Sequence, residues 1–510
     1  MKFITRVALV AILLTEPAVQ AAEVKVDAGK QHQIMHGFGT CIVTWGAPQR
    51  SPVVAGQQNP ALQRMYAQDL RMNVARIPLQ PWVLEGGNPW GIQGSVTEEM
   101  KQDPTQITHA AFIWKRKDGR AQGAPDYAID WAKSLLAIQP NIKVIGSVWS
   151  PPHWMKEPAA SGPGSKFHWS QNGANTCGGR LNPKYYEHYA YYLTAWAKGL
   201  KEVHGIDLYA VSVQNELFFY EPYDSCVYTP GEFAEVVGVI GKVFQKEGVK
   251  TLIMGPEDMT RYPDRTMGYV KAAMKRPVAK DALAIICAHG YADGLETSLE
   301  ADDSVNLWQM MQQVCPGKEY WMTETGGGGG AWNDIESVWE SGKKKGQKRI
   351  VKGALSGFAT MIHNAVVHGN ASVWCTWQYL DSGPQTGSGL INVGGDKPVF
   401  TKKYQVQKHF SRWTPAGCRR VEATVEGDQL LACAFSDDKT GALTLVLQNH
   451  ADKAQSASLN LGSATGPFQL YITDEKCDCE PATVVSVHNG KGQIELPARS
   501  IVTLTNLTLR

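Results

Sequence analysis

Between about residues 36 and 412 the chain alternates short apolar runs with amphipathic segments, the pattern of repeated βα units, and no other feature narrows its fold as much. The runs fall at 36–45, 73–79, 142–149, 208–213, 252–255, 283–288, 320–323 and 372–378. The stretch from Asn182 to Gly255 shows how a unit is written. Asn182 and Pro183 supply an N-cap and a first-turn proline; Tyr186, Tyr189, Ala190, Leu193, Ala197 and Leu200 recur at helical spacing; Gly205 stops the helix. The run 208–213 is apolar on both faces, as a buried parallel strand should be. Thr229-Pro230-Gly231-Glu232 then reads as a capping box with proline at the first helical position, opening a helix that ends at Gly248. Eight successive strands of this kind fit an α/β fold of the (β/α)8 TIM-barrel type better than a doubly wound sheet, since one barrel commonly takes about 250 residues plus insertions.

After Pro415-Ala416-Gly417 the texture changes. Short alternating runs such as Leu443, Leu445 and Leu447 on one face are separated by turn clusters at 426–428, 437–441 and 489–492. This predicts an appended all-β sandwich over 413–510, and the strand-like stretch within 22–35 is a candidate to join it, leaving 36–412 to the barrel. At the N-terminus Lys2 and Arg6 precede the apolar run 7–14, and Val19-Gln20-Ala21 places small residues before Ala22. Residues 1–21 therefore read as a cleaved signal peptide, and the product as secreted or periplasmic. The apolar run is too short to span a bilayer, which takes about 20 residues, so no membrane span is expected.

Export changes how the ten cysteines are read, because an oxidising destination permits disulfides. Cys177 and Cys226 flank one helix and strand and form a candidate pair. Cys477-Asp478-Cys479 lacks a second close Cys/His pair to complete a tetrahedral zinc site, so no metal and no cofactor is expected. Charges nearly cancel, 50 Lys and Arg against 48 Asp and Glu, with no basic run, which argues against a nucleic-acid partner. Sixteen Trp and 18 Tyr outnumber 13 Phe, a bias towards rings with a polar handle, which suit half-wet surfaces such as sugar sites. A monomer acting on carbohydrate fits these properties.

In a barrel of this kind the active site lies at the C-terminal ends of the strands. Two carboxylates stand there: Glu216 in Val211-Ser212-Val213-Gln214-Asn215-Glu216, ending the fourth strand, and Glu324 in Trp321-Met322-Thr323-Glu324, ending the seventh. Opposed carboxylates about 5–5.5 Å apart suit retaining glycoside hydrolysis, and a gap of about 6.5–9.5 Å suits inversion.

The sequence resembles glycoside hydrolase family 30. The matching segments are His36-Gly37-Phe38-Gly39, Arg76-Ile77-Pro78, Trp149-Ser150-Pro151-Pro152-His153-Trp154-Met155-Lys156, Ser212-Val213-Gln214-Asn215-Glu216, His289-Gly290-Tyr291, Trp321-Met322-Thr323-Glu324 and the eighth-strand segment from Trp374 to Tyr379. The resemblance runs in order from about residue 34 to 417, and the family's attached β-sandwich accounts for the remainder. It implies a retaining β-glycoside hydrolase acting by double displacement, with Glu216 as general acid/base and Glu324 as nucleophile. Glu216 should have a raised pKa, because the neighbouring negative charge disfavours a second one. By the same resemblance Asn215 should bond the sugar 2-hydroxyl, Arg76 should hold the nucleophile, and His289 and Tyr291 should sit beside it. Trp149 and Trp377 are the expected wall and floor of the sugar site, with Trp374 a further substrate-binding candidate.

Other residues are read differently. Glu257-Asp258 are expected as first-turn helix residues favoured by the dipole rather than as catalytic acids. Gly326 to Gly330 lack the Lys and Ser/Thr of a phosphate cradle, and a pliable loop beside the nucleophile is expected. The family usually follows the acid with proline, whereas Leu217-Phe218-Phe219-Tyr220 follows here and should alter the wall near the leaving group. The stretch 381–395 contains no arginine of the kind by which the family's glucuronoxylanases grip a uronic acid, which leaves unsubstituted xylan, β-1,6-glucan, β-1,6-galactan or a small β-glycoside. Transglycosylation through the same intermediate, or non-catalytic carbohydrate binding on this scaffold, are the alternative readings.

Overall fold

A computed structural model describes residues 22–42, 51–84, 95–115, 125–157, 177–220, 223–291, 303–326, 357–382, 389–427 and 429–509. The signal-peptide reading of 1–21 and the glycines 327–330 lie outside these.

Eight strands close a parallel barrel, each hydrogen-bonded to its neighbours in chain order: Gly37–Cys41, Val74–Leu79, Lys143–Val148, Leu208–Ser212, Leu252–Met259, Leu283–His289, Glu319–Thr325 and Ala371–Thr376. The last pairs with the first, Val373 opposite Gly37 and Cys375 opposite Gly39. The period of two in a strand divides the side chains between two environments. Val74, Ile145, Ala210, Met254, Ile285, Cys287, Trp321, Val373 and Cys375 fill the barrel interior. Their neighbours along each strand, such as Ala75, Val144, Val211, Ile286, Met322 and Trp374, pack outwards in the larger core against the helices. One step further towards the C-terminal ends the inward residues turn polar, at Arg76, Ser147, Ser212 and His289, and this polar layer forms the floor of the site.

The connecting helices carry the stop and start chemistry written in the sequence. Asn182 accepts a bond from the Lys184 N–H and opens a short 3-10 turn leading into the helix Tyr186–His204, which ends on Gly205 at φ 71°. The helix Pro230–Glu247 has the full capping box: the Glu232 N–H donates to Thr229 Oγ1 and the Thr229 N–H to Glu232 Oε2, worth about 1 kcal/mol for the cap alone. Gly37 holds φ 138°, and a Cβ there would stand 2.2 Å from Asn73 Oδ1, the atom that accepts the Phe38 N–H.

The second unit is a nine-stranded, mostly antiparallel sheet built from eight strands after residue 418 and from Ala22–Ile34. Ala22–Ile34 pairs antiparallel with Arg419–Glu426 and parallel with Gln455–Asn460, so the first strand among the described residues is stitched into the second unit. Leu443, Leu445 and Leu447 point into the sandwich core. The opposite face of that strand, Ala442–Asn449, is buried too, because it faces the barrel: Val446 joins the barrel's outer core and Gln448 Nε2 donates to the Ala359 carbonyl. The fold is thus a TIM barrel with an appended β-sandwich. No disulfide joins any of the ten cysteines, and among the described residues no helix is long and apolar enough to cross a membrane.

Candidate active site

Arg76, at the end of the second strand, is fully buried, and every arm of its guanidinium is used. Nη1 donates to Glu324 Oε2 and to Cys41 Sγ at 3.0 Å. Nη2 donates to Asn215 Oδ1 at 2.7 Å and Ser147 Oγ at 2.9 Å. Nε and Nη2 reach the two oxygens of Glu257, each at 3.2 Å. A planar fork with five donors is the side chain suited to fix several neighbours at once. Arg76 thus makes the expected contact with Glu324 and is also part of a buried structural ion pair.

The other oxygen of Glu324, Oε1, accepts from the Tyr291 hydroxyl. His289 Nδ1 lies 2.9 Å from Glu216 Oε1 and 3.8 Å from Glu324 Oε1. Tyr291 therefore sits beside the seventh-strand carboxylate as expected, whereas His289 binds mainly to the fourth-strand one. Oxygens of Glu216 and Glu324 and a ring nitrogen of His289 lie within 4.8 Å of one another. Three such ligand atoms could nominally hold a cation, but the Arg76 guanidinium and a protonated His289 already supply positive charge here.

Burial is the largest influence on Glu216 and pushes its pKa up; the Glu324 charge adds to this, while the His289 bond and charge pull it down. The expected direction is present, but its main cause is desolvation rather than the second carboxylate. Burial on its own would depress the His289 pKa, yet the charges of Glu324, Glu216 and Glu257 around the ring raise it to about 10. The ring is therefore an imidazolium that donates to Glu216. Glu257 is held well below the usual carboxylate range: burial opposes this, but Arg76, His289 and Ser147 overcome it.

Glu257 departs from its sequence reading. The fifth strand does not stop at Gly255 but runs to Met259, and the next helix begins only at Pro263. The Glu257 side chain enters the barrel, where Ser147 and Ser212 also donate to Oε2. Asp258 faces the other way and binds Arg265. Glu216 and Glu257 both adopt left-handed backbone, φ 47° and 55°, and the Glu216 N–H donates to the Glu257 carbonyl at 3.1 Å. Strain of this kind, of order 1–3 kcal/mol per residue, persists where surrounding structure over-determines it, as functional sites do.

The walls come from strands one, three and eight. Trp149, Trp377 and Cys41 form one small apolar cluster, and Arg76 lies 4.8 Å from the Trp149 ring centre. Trp377 is partly exposed, and its backbone N–H donates to the Thr325 carbonyl. Gly326 permits that approach: a Cβ there would stand 2.5 Å from the Trp377 carbonyl oxygen. Trp374 does not line the site. It is an outward residue of its strand, fully buried edge-on against Phe358, because residues 373 and 375 take the inward positions.

The model of the glycosyl hydrolase family 30 beta sandwich domain matches residues 417–504. Glucuronoxylanase XynC of Bacillus subtilis (strain 168) is 24% identical over 384 residues, covering 73% of this chain and 77% of the relative. Endo-1,6-beta-D-glucanase neg1 of Aspergillus fumigatus is 22% identical over 335 residues, 62% of this chain and 60% of that one. The solved structure of a GH30 endoxylanase from Clostridium papyrosolvens C71 superposes with a TM-score of 0.67 at 21% identity, covering 95% of this chain and all of its own. Residues 417–504 thus match a glycoside hydrolase family 30 domain, and the chain as a whole is similar to hydrolases of that family. The chain is an O-glycosyl hydrolase with a carbohydrate substrate. The residue that sequence reasoning passed over in it, Glu257, had one signal available. A carboxylate following a strand that faces an arginine three strands away is better placed for a buried pair than for a helix turn.

Proposed function

We propose that the chain is an exported, monomeric, retaining β-glycanase, acting by double displacement on xylan, β-1,6-glucan or β-1,6-galactan. The observation that supports this most is the approach of a Glu216 oxygen to within 4.8 Å of a Glu324 oxygen, a gap suited to direct attack on the sugar and too narrow for the intervening water of inversion. Glu216 protonates the glycosidic oxygen as the bond from the anomeric carbon breaks, and Glu324 attacks that carbon from the opposite face. Arg76 and Tyr291 fix one Glu324 oxygen each, so the carboxylate meets the sugar already oriented. Asn215 gives its carbonyl oxygen to Arg76 and retains its amide N–H groups for the 2-hydroxyl, a bond that strengthens as positive charge grows on the ring. Once Glu324 is esterified its charge is gone, and Glu216 takes a proton from the incoming water. Trp149 and Trp377 offer faces for the sugar C–H groups.

Residues 1–21 support export. Gly178 N–H bonds Ser225 Oγ at 2.8 Å and Val227 N–H bonds the Gly179 carbonyl at 2.9 Å, a proximity of the two segments that supports a Cys177–Cys226 disulfide in an oxidising compartment. The test is to size the products from the three polymers and follow the first turnovers by NMR. The β-anomer should appear first, and Glu324→Gln should fold yet turn nothing over. An initial α-anomer would sink the retaining mechanism.

A further inference from the structure

The loops after strands four and five carry a feature that the chemistry of bond cleavage does not use. Phe218 is 47% exposed and Tyr262 43%, large apolar rings left in solvent at the C-terminal end of the barrel. The Arg265 guanidinium lies 4.0 Å from the Phe218 ring centre and 4.2 Å from that of Tyr262, joining the two rings. Arg265 is itself immobilised: Nε and Nη2 make a two-pronged bond, 2.7 and 2.6 Å, to the buried carboxylate of Asp258, which also accepts from Thr266 Oγ1. A buried acid thus orients a cation, and the cation fixes two exposed rings. Solvent-facing aromatics held this rigidly lose little entropy when a ligand packs on them.

Their place relative to the acid sets their use. Phe218 follows Glu216 by two residues, so their Cα atoms are at most about 7 Å apart. The Phe219 N–H donates to the Glu216 carbonyl at 2.9 Å, tying the turn to the acid. A general acid delivers its proton to the leaving oxygen, so the leaving sugar must lie on the acid's side of the cleft. The Trp149 and Trp377 cluster belongs to strands one, three and eight, and not to the loops after strands four and five.

Resting on the hydrolase reading above, we propose that Phe218 and Tyr262, clamped by Arg265, form a stacking platform for the leaving-group portion of a neutral β-linked glycan, the sugar units beyond the bond that is cut. The apolar C–H faces of pyranose rings pack on the two aromatic rings. Arg265 Nη1, which has no hydrogen-bond partner among the described residues, is left for a sugar hydroxyl. The same platform receives an acceptor sugar when the glycosyl-enzyme is intercepted by a hydroxyl instead of water.

The test compares substrates that differ only beyond the cut bond. Xylotetraose and gentiotetraose place sugars on the platform; xylobiosyl and gentiobiosyl β-fluorides leave as a single ion and place nothing there. The ratio of kcat/KM for the tetraose to that for the fluoride should fall about tenfold in Phe218→Ala and in Tyr262→Ala. Phe218→Trp and Tyr262→Phe, which keep a ring, should restore it, and transfer to added acceptor should fall in step with the ratio. An unchanged ratio in both alanine variants overturns the platform, whether activity as a whole is kept or lost. A wild-type protein that turns over neither fluoride, nor the corresponding β-1,6-galactobiosyl fluoride, overturns the hydrolase reading itself.

Discussion

Glu257 and Arg76 face each other across the floor of the site, with Nε and Nη2 of the guanidinium 3.2 Å from the two carboxylate oxygens and neither side chain reached by solvent. Two cations, Arg76 and His289, are thereby set among three carboxylates, and Glu257 is the one that stands beneath the cleft rather than in it. It positions Arg76 and helps keep His289 charged, and through them it holds both Glu324 and Glu216.

Glu257→Gln keeps the shape and removes the charge. Losing one partner of a buried pair costs about 3–5 kcal/mol, so denaturant unfolding should show a destabilisation of that order. Turnover should fall more than substrate affinity, because the Glu257 side chain touches the proposed acid and nucleophile only through Arg76 and His289. An unfolding free energy equal to wild type would show that the charge is dispensable.

His289 makes a prediction with a definite sign. Its bond and charge both lower the pKa of Glu216, which burial raises. In the proposed mechanism Glu216 must be protonated to act as acid, so activity is present below its pKa and is lost as pH rises through it. His289→Gln removes the downward pull. The alkaline limb of the kcat/KM profile should therefore move to higher pH, even as overall activity drops. A limb displaced to lower pH contradicts the assignment.

The eight strands, the capping box at Thr229 and the stops at Gly205 and Gly248 were legible because each rests on local rules of period and turn chemistry. The two carboxylates were legible because a barrel exposes the ends of its strands. Trp374 and Glu257 were misread for a shared reason. Whether a residue near a strand end points inwards depends on where that strand stops and on its register with its neighbours. Glu257 points inwards because the fifth strand runs four residues past Gly255, and apolarity on both faces erases the alternation that would have set Trp374 outwards. The main source of the Glu216 shift was hidden as well, since desolvation is a property of packing.

Trp374 and Trp377 should separate in experiment. Trp374→Ala opens a cavity in the helix-facing core and should cost about 3–5 kcal/mol of stability, with KM little changed once the protein is folded. Trp377→Ala, at the half-open wall beside Trp149, should cost less stability and lower kcat/KM. Thermal melts alongside kinetics on the same preparations check the pair, and a matched loss of stability with unaltered kinetics in both would remove Trp377 from the site.

The junction of barrel and sandwich should weaken in acid. His409 is fully buried there, Nδ1 and Nε2 each 2.8 Å from Thr503 Oγ1 and Thr473 Oγ1. His450 bonds Gln448, which reaches across to the Ala359 carbonyl. Burial lowers the pKa of His409 to about 3, with Lys408 adding to it, and that of His450 to about 4. Both folded values lie below the ordinary 6.5, so between pH 6.5 and about 4 the unfolded chain binds protons that the folded chain refuses. Stability is then complete above pH 6.5 and declines as pH falls, by about 1.4 kcal/mol per pH unit for each ring. The denaturant midpoint should drop steadily from pH 6.5 to 4.5, and His450→Gln should flatten that slope by the share of one group. A midpoint constant across this range would mean that both rings find a way to protonate in place, which burial without an acidic neighbour does not allow.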